Sequence, residues 1–193
     1  FSFTMQTRYP WDGNVAVKLS LAQARRFTVR FRIPSWCRNW TGLVNGAVAA
    51  VETADGYAVI DREWENGDEI VFDLVMPVER VYSHPSVRSN IGKFALQRGP
   101  LVYCLEDVDN GKDLNNLFVP SDLPLAWSFE EQLLGGVVTI SGEGTAFSYD
   151  GWEHALYNTD PGRITQRLFK AVPYYAWNNR GVGEMLVWLN ARR

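Results

Sequence analysis

The residues able to carry chemistry are few and scattered. Two cysteines, Cys37 and Cys104, and two histidines, His84 and His154, are each isolated along the chain. A zinc site needs three or four such ligands converging, often with close pairs in sequence, and no close pair occurs here. Neither histidine has a Gly-x-Ser-x-Gly nucleophile motif nearby, so a serine triad has no anchor either. Two cysteines in 193 residues do not make a disulfide framework. The sequence leaves open whether they bridge, and the simpler reading is two small buried hydrophobes.

Carboxylates are more plentiful. Glu63, Glu65, Asp68, Glu106, Asp107 and Asp109 could supply the spaced pair that glycosidic-bond hydrolysis usually needs. Number is not geometry, however. Asp68 follows Asn66-Gly67 as a turn residue, and Glu63 and Glu65 flank Trp64 on an expected surface strand, so these read as solvated or turn-forming groups. Glu106-Asp107 is the least ordinary pair. Gly99-Pro100 and Gly181-Val182-Gly183 do not open a helix, as a phosphate loop would.

Eight tryptophans and eight tyrosines invite sugar stacking, but aromatic side chains are first of all large core fillers. Trp64, Tyr103, Trp127 and Trp188 are expected in cores or domain contacts. Trp11, in the turn Tyr9 to Gly13, and Trp36 and Trp40, in the loop after Pro34, are the candidates for contact with a sugar or with a neighbouring domain.

The elements that must position these residues read as strands throughout. Phe27, Val29, Phe31 and Ile33 interleave with Arg26, Thr28, Arg30 and Arg32, giving one apolar and one cationic face. The cationic face reads as solvated and locally balanced, or as a surface for acidic groups of a neighbouring domain. Asn45-Gly46 is a hairpin signal, Asp55-Gly56 marks another turn, and Asp12-Gly13 is a turn tolerant of positive φ. Turn signals every 8–12 residues with no helical period predict an all-β chain of two consecutive antiparallel β-sandwich domains, jelly-roll or immunoglobulin-like. The first spans residues 1–83 and the second 84–193, with a loop-rich insertion around 110–165. Within the second, Asn90 to Asp107 alternates on both sides of Arg98-Gly99-Pro100. Proline lacks the ladder amide, so this stretch is expected to be one kinked or bulged strand.

Composition narrows the partners. Nineteen basic against 22 acidic residues give a net charge of -3, with no polyelectrolyte signature for nucleic acid. No apolar run approaches the roughly 20 residues of a membrane span, so no membrane partner is expected. The chain begins at Phe1 inside a strand, without an initiator Met, and an upstream segment is therefore expected. Cytoplasm, periplasm and secretion all stay open.

Several segments in order resemble the C-terminal region of glycoside hydrolase family 127, the β-L-arabinofuranosidase family. They are Thr7 to Gly13 (TRYPWDG), Phe31 to Cys37 (FRIPSWC), Val44-Asn45-Gly46, Gly56-Tyr57 with Arg62-Glu63-Trp64 and Gly67-Asp68, Ala95 to Cys104 (ALQRGPLVYC), and Ala171 to Gly181 (AVPYYAWNNRG). The resemblance implies two β-sandwich domains following an (α/α)₆ barrel of the same polypeptide. It also implies that a zinc-bound cysteine nucleophile, with its glutamates and further cysteine ligands, belongs to that barrel. No catalytic or metal role is therefore transferred to Cys37 or Cys104, and no cofactor is expected in this chain. The implied function is a non-catalytic accessory region of a bacterial glycoside hydrolase acting on plant-type, arabinose-containing glycans. A freestanding carbohydrate-binding module and a purely structural docking domain are the alternatives.

Overall fold

A computed structural model describes residues 1–152 and 155–192, and the chain is nearly all β. It separates into two compact units, Phe1–Pro77 and Val78–Arg193. The division falls earlier than Ser83 because β9 (Val78–Val81) pairs with β10 (Lys93–Arg98), which ties it to the second unit. Among the described residues no helix is long and apolar enough to cross a membrane.

The first unit holds β1 (Ser2–Thr7), β2 (Asn14–Ser20), β3 (Arg25–Arg32), β4 (Trp40–Val44), β5 (Ala47–Val48), β6 (Glu52–Ala54), β7 (Tyr57–Trp64) and β8 (Glu69–Leu74). They form one sheet in the order β1-β2-β8-β4-β5 and a second in the order β3-β7-β6. Both sheets feed one core. Val15, Val17 and Leu19 of β2 and Ile70 and Phe72 of β8 meet Ala58, Ile60 and Trp64 of β7. Period-two alternation puts each set on one face of its strand, and full burial of a side chain such as Phe72 contributes about 1.5–3 kcal/mol. Trp64 completes its burial by donating its indole N–H to the Phe27 carbonyl at 2.9 Å.

The turns of this unit follow local chemistry. Asn45 and Gly46 (φ 52° and 78°), and Asp55 and Gly56 (φ 52° and 78°), are both left-handed, as the two-residue hairpin matching strand twist requires. Gly13 is different: its backbone is not left-handed, and it is needed because a Cβ there would lie 1.8 Å from the Leu74 carbonyl oxygen.

The second unit adds β11 (Leu101–Glu106), the short helix α1 (Asp107–Asn110), β12 (Phe118–Pro120), β13 (Ala126–Glu130), β14 (Val137–Phe147), β15 (Ile164–Pro173), β16 (Met185–Leu186) and β17 (Leu189–Arg192). Three of these strands, β12, β13 and β14, lie inside the stretch expected to be loop-rich. The Asn90 to Asp107 stretch is two strands, not one bulged strand. Gly99, at φ 55°, and Pro100 form a two-residue turn, and Arg98 pairs with Leu101 across it. A glycine with positive φ at the first central position turns the chain fully back, so Pro100 sits in the turn and costs no ladder bond.

That hairpin closes a ring. The pairings run β10-β11-β15-β14-β12-β17 and return to β10, with β12 and β17 parallel and the other neighbours antiparallel. Phe94, Tyr103, Val119, Ile140, Phe169 and Leu189, one from each of the six strands, are buried in one cluster. Where the sequence suggests two facing sheets, the second unit is a sheet closed on itself, which leaves these strands few free edges.

Candidate functional site

A linked set of charged side chains lies at the end of β11, where the sequence singles out Glu106-Asp107. Glu106 is the last residue of β11, is buried, and has both carboxylate oxygens engaged. One accepts the Asn178 backbone N–H at 3.1 Å, and the other accepts the Arg180 guanidinium. Arg180 also donates to Asp109 at 2.5 Å, and Asp109 in turn lies 3.4 Å from the Lys170 ammonium. Lys170 reaches Glu130 at 3.4 Å, which accepts the Thr139 hydroxyl at 2.8 Å. Burial alone pushes the Arg180 guanidinium down, but its hydrogen bonds to Asp109 and Glu106 outweigh it, so the group stays above its ordinary value.

Asn110 locks the backbone around this chain of charges. Its amide donates to the Glu106 and Lys170 carbonyls at 2.8 and 2.9 Å, and its side-chain oxygen accepts the Lys170 N–H at 2.8 Å. Above lies a cavity of about 310 Å³ bordered by Asp107, Lys112, Trp177, Arg180 and Glu184. Trp177, 41% exposed, stacks on Tyr174 with ring centroids 6.2 Å apart. The arrangement is suited to holding α1 and the Asn178–Gly181 turn together. A buried carboxylate whose two oxygens accept a guanidinium and a backbone amide ties those two segments to the end of β11.

The other sequence candidates fall in the first unit. Trp36 and Trp11 are half-buried in their loops. The Trp36 ring centroid lies 6.5 Å from that of Tyr9, and burial pushes the Tyr9 hydroxyl up despite a hydrogen bond with Trp36 that pulls it down. Trp40 opens β4 and packs on Phe72 at 5.9 Å, against the first unit's core. Asp68 is buried in its turn and accepts Asn45 Nδ2 at 2.8 Å and the Glu65 N–H at 2.9 Å. Burial pushes its carboxyl up, but these bonds and nearby Arg62 prevail and hold it below the usual range.

Both cysteines are free and buried. Burial pushes the Cys37 thiol up, and the Cys104 thiol up to about 12, with Glu106 adding to the effect. Both shifts favour the neutral thiol over the thiolate. Among the described residues no three His, Cys, Asp or Glu side chains are grouped to hold a metal ion. His154 lies outside the described residues. Trp127, expected in a core or domain contact, is 51% exposed, with the Arg98 guanidinium 4.0 Å from its ring centroid. Arg180 was not legible as a partner: Asn178 to Gly181 reads as a turn, and its one signal is an arginine far along the chain from Glu106 and Asp109, an acidic pair at i and i+3.

Two family models divide the chain much as the fold does. Residues 1–76 match "Beta-L-arabinofuranosidase, GH127 middle domain", and residues 78–190 match "Glycoside hydrolase family 127 C-terminal domain". The chain belongs to glycoside hydrolase family 127. It is similar to a non-reducing end β-L-arabinofuranosidase of Bifidobacterium longum subsp. longum, with 38% identity over 95% of this chain and 29% of the relative. The crystal structure of a GH127 β-L-arabinofuranosidase from Geobacillus stearothermophilus T6 superimposes with a TM-score of 0.94 at 47% identity, over 98% of this chain and 30% of that one. A structure described as a glycoside hydrolase gives a TM-score of 0.88 at 35% identity, over 99% and 32%. The chain thus spans about a third or less of the length of these relatives.

Proposed function

We propose that this chain is the non-catalytic region of a larger family 127 glycoside hydrolase acting on arabinofuranosyl-containing glycans. In this reading it stabilises the catalytic barrel of the same polypeptide and borders its mouth, while the cleavage chemistry, zinc included, belongs to the barrel. The first unit is then a two-layer β-sandwich serving as a spacer. The observation that carries the reading is that the best-placed chemical groups are committed within the fold. Glu106 is held by Arg180 and Asn178, Asp68 by Asn45 and Glu65, and both thiols are buried. The test compares this chain with a longer polypeptide carrying its upstream residues on a chromogenic β-L-arabinofuranoside. Hydrolysis is expected from the longer polypeptide alone. Turnover by the 193 residues, or none by the longer polypeptide on any arabinofuranosyl substrate, overturns the reading.

The pairing of Tyr9 with half-buried Trp36 favours a second reading, a carbohydrate-binding module. It requires glycan binding by this chain that Trp36→Ala abolishes, and a glycan array without signal rejects it. Trp40→Ala is a poorer probe, because that ring packs on Phe72.

A further inference from the structure

The first unit leaves part of its core open. A groove of about 590 Å³ is lined by Phe1, Phe3 and Met5 of one sheet and Phe27, Val29 and Phe31 of the other. Phe1, Phe3 and Met5 are 80%, 48% and 61% exposed, although their alternation marks a core-facing side. The strands that border the groove are also the ends of their sheets. Among the described residues β1 pairs with β2 alone and β3 with β7 alone, so each presents an unpaired row of backbone N–H and C=O groups. Free edge and apolar groove lie side by side along β3, at Arg25 and from Phe27 to Phe31.

The outer face of β3 states what chemistry belongs opposite it. Arg26 is paired with Asp61 at 2.8 Å, whereas Arg30 and Arg32, on the same face, have no ion-pair partner among the described residues. A strand laid on this edge would set its outward side chains directly across from Thr28, Arg30 and Arg32, about 4.5–5.5 Å away, where opposite charges stabilise and like charges repel. Its inward side chains would drop into the groove over Phe27, Val29 and Phe31.

We propose that this groove seats an additional β-strand, contributed by the remainder of the longer polypeptide and paired with the free edge of β3. Its apolar side chains at alternate positions fill the groove, and its intervening carboxylates face Arg30 and Arg32. The proposal rests on reading the chain as part of a longer family 127 polypeptide, whose relatives are about three times its length. A second copy of this chain fits less well. Of the edge strands it could offer, β1 (SFTMQT) has no carboxylate, β3 (RRFTVRFR) has the same positive charge, and β13 (AWSFE) has its one carboxylate, Glu130, engaged by Thr139 and Lys170.

The test adds a synthetic peptide of alternating glutamate and valine, acetyl-EVEVEVE-amide, to the 193-residue chain and follows amide hydrogen exchange. Slowed exchange across Arg25–Arg32 is expected, with binding about tenfold weaker in the Arg30→Glu/Arg32→Glu variant. Both substitutions lie on the exposed face, so the variant keeps its fold. In the longer polypeptide the same amides are expected to be slow without peptide. No protection by the peptide, equal protection by its lysine counterpart, or protection arising from dimers of this chain would each overturn the proposal. None of these readouts depends on hydrolysis, so a failed strand assignment is distinguishable from a failed assignment of activity.

Discussion

The two units are built from the same material, alternating strands of similar length, and they treat their edges in opposite ways. In the second, β10 pairs with β11 on one turn and with β17 at the far end, and the ring returns on itself around Phe94, Tyr103 and Leu189. In the first, β1 and β3 remain unpaired at their outer edges and the rings of Phe1, Phe3 and Phe27 border an open groove. Closure satisfies backbone and side chains together. An open edge leaves both unsatisfied at the same place, which is why the groove and the free strand of the first unit coincide.

The largest effect should come from breaking the charge network that braces the closed unit. Arg180→Ala leaves Glu106 buried without its cation, and a loss of about 3–5 kcal/mol is expected in urea unfolding followed at β11 and α1. Arg180→Met with Glu106→Gln should recover much of it, since the cost is mainly the uncompensated charge.

A matched pair of truncations tests the contrast itself. Phe94→Ala, within the ring, should cost about 3–5 kcal/mol, whereas Phe27→Ala, on the open groove, should cost about half as much because its ring is only partly buried. Equal losses would mean that the two cores are equally closed.

Acid should act on the first unit through Asp68. Its folded pKa lies below the unfolded aspartate value of about 3.9, so its stabilisation is complete above about pH 4 and is lost as pH falls through the folded pKa. Asp68→Asn should flatten the acid limb of the first unit's unfolding and leave that of the second unchanged, read by hydrogen exchange against pH.

The smallest effects concern reactivity and loops. Iodoacetamide at pH 8 should leave both thiols unmodified in the folded chain and label both in guanidinium, as mass spectrometry would read, with Cys104 the slower near the unfolding midpoint. Trp36→Ala, in a half-exposed loop, should shift stability by no more than about 1 kcal/mol.

Much of the local structure was legible. The alternation of Phe27 to Ile33 marked β3 and its two faces, Asn45-Gly46 marked its hairpin, and Asp55-Gly56 marked its turn. The same alternation misled at Gly99-Pro100, because residues on either side of a bulge and of a two-residue turn alternate alike. At the candidate site, Glu106 was legible as unusual, but its meaning was not, since Arg180 lies 74 residues away. Trp40 shared a loop with Trp36 by sequence and was separated from it by packing on Phe72.

By itself, then, the chain's sequence determined its all-β character, its turns, and which side chains share a face, because these depend on neighbours within a few residues and on a period of two. Only the tertiary structure decided which of those faces are covered. Whether a strand's edge finds a partner depends on segments far along the chain, as when β10 meets β17 and closes the ring while, among the described residues, β3 pairs with β7 alone. That difference makes one unit a closed body and the other a surface with a place for one more strand.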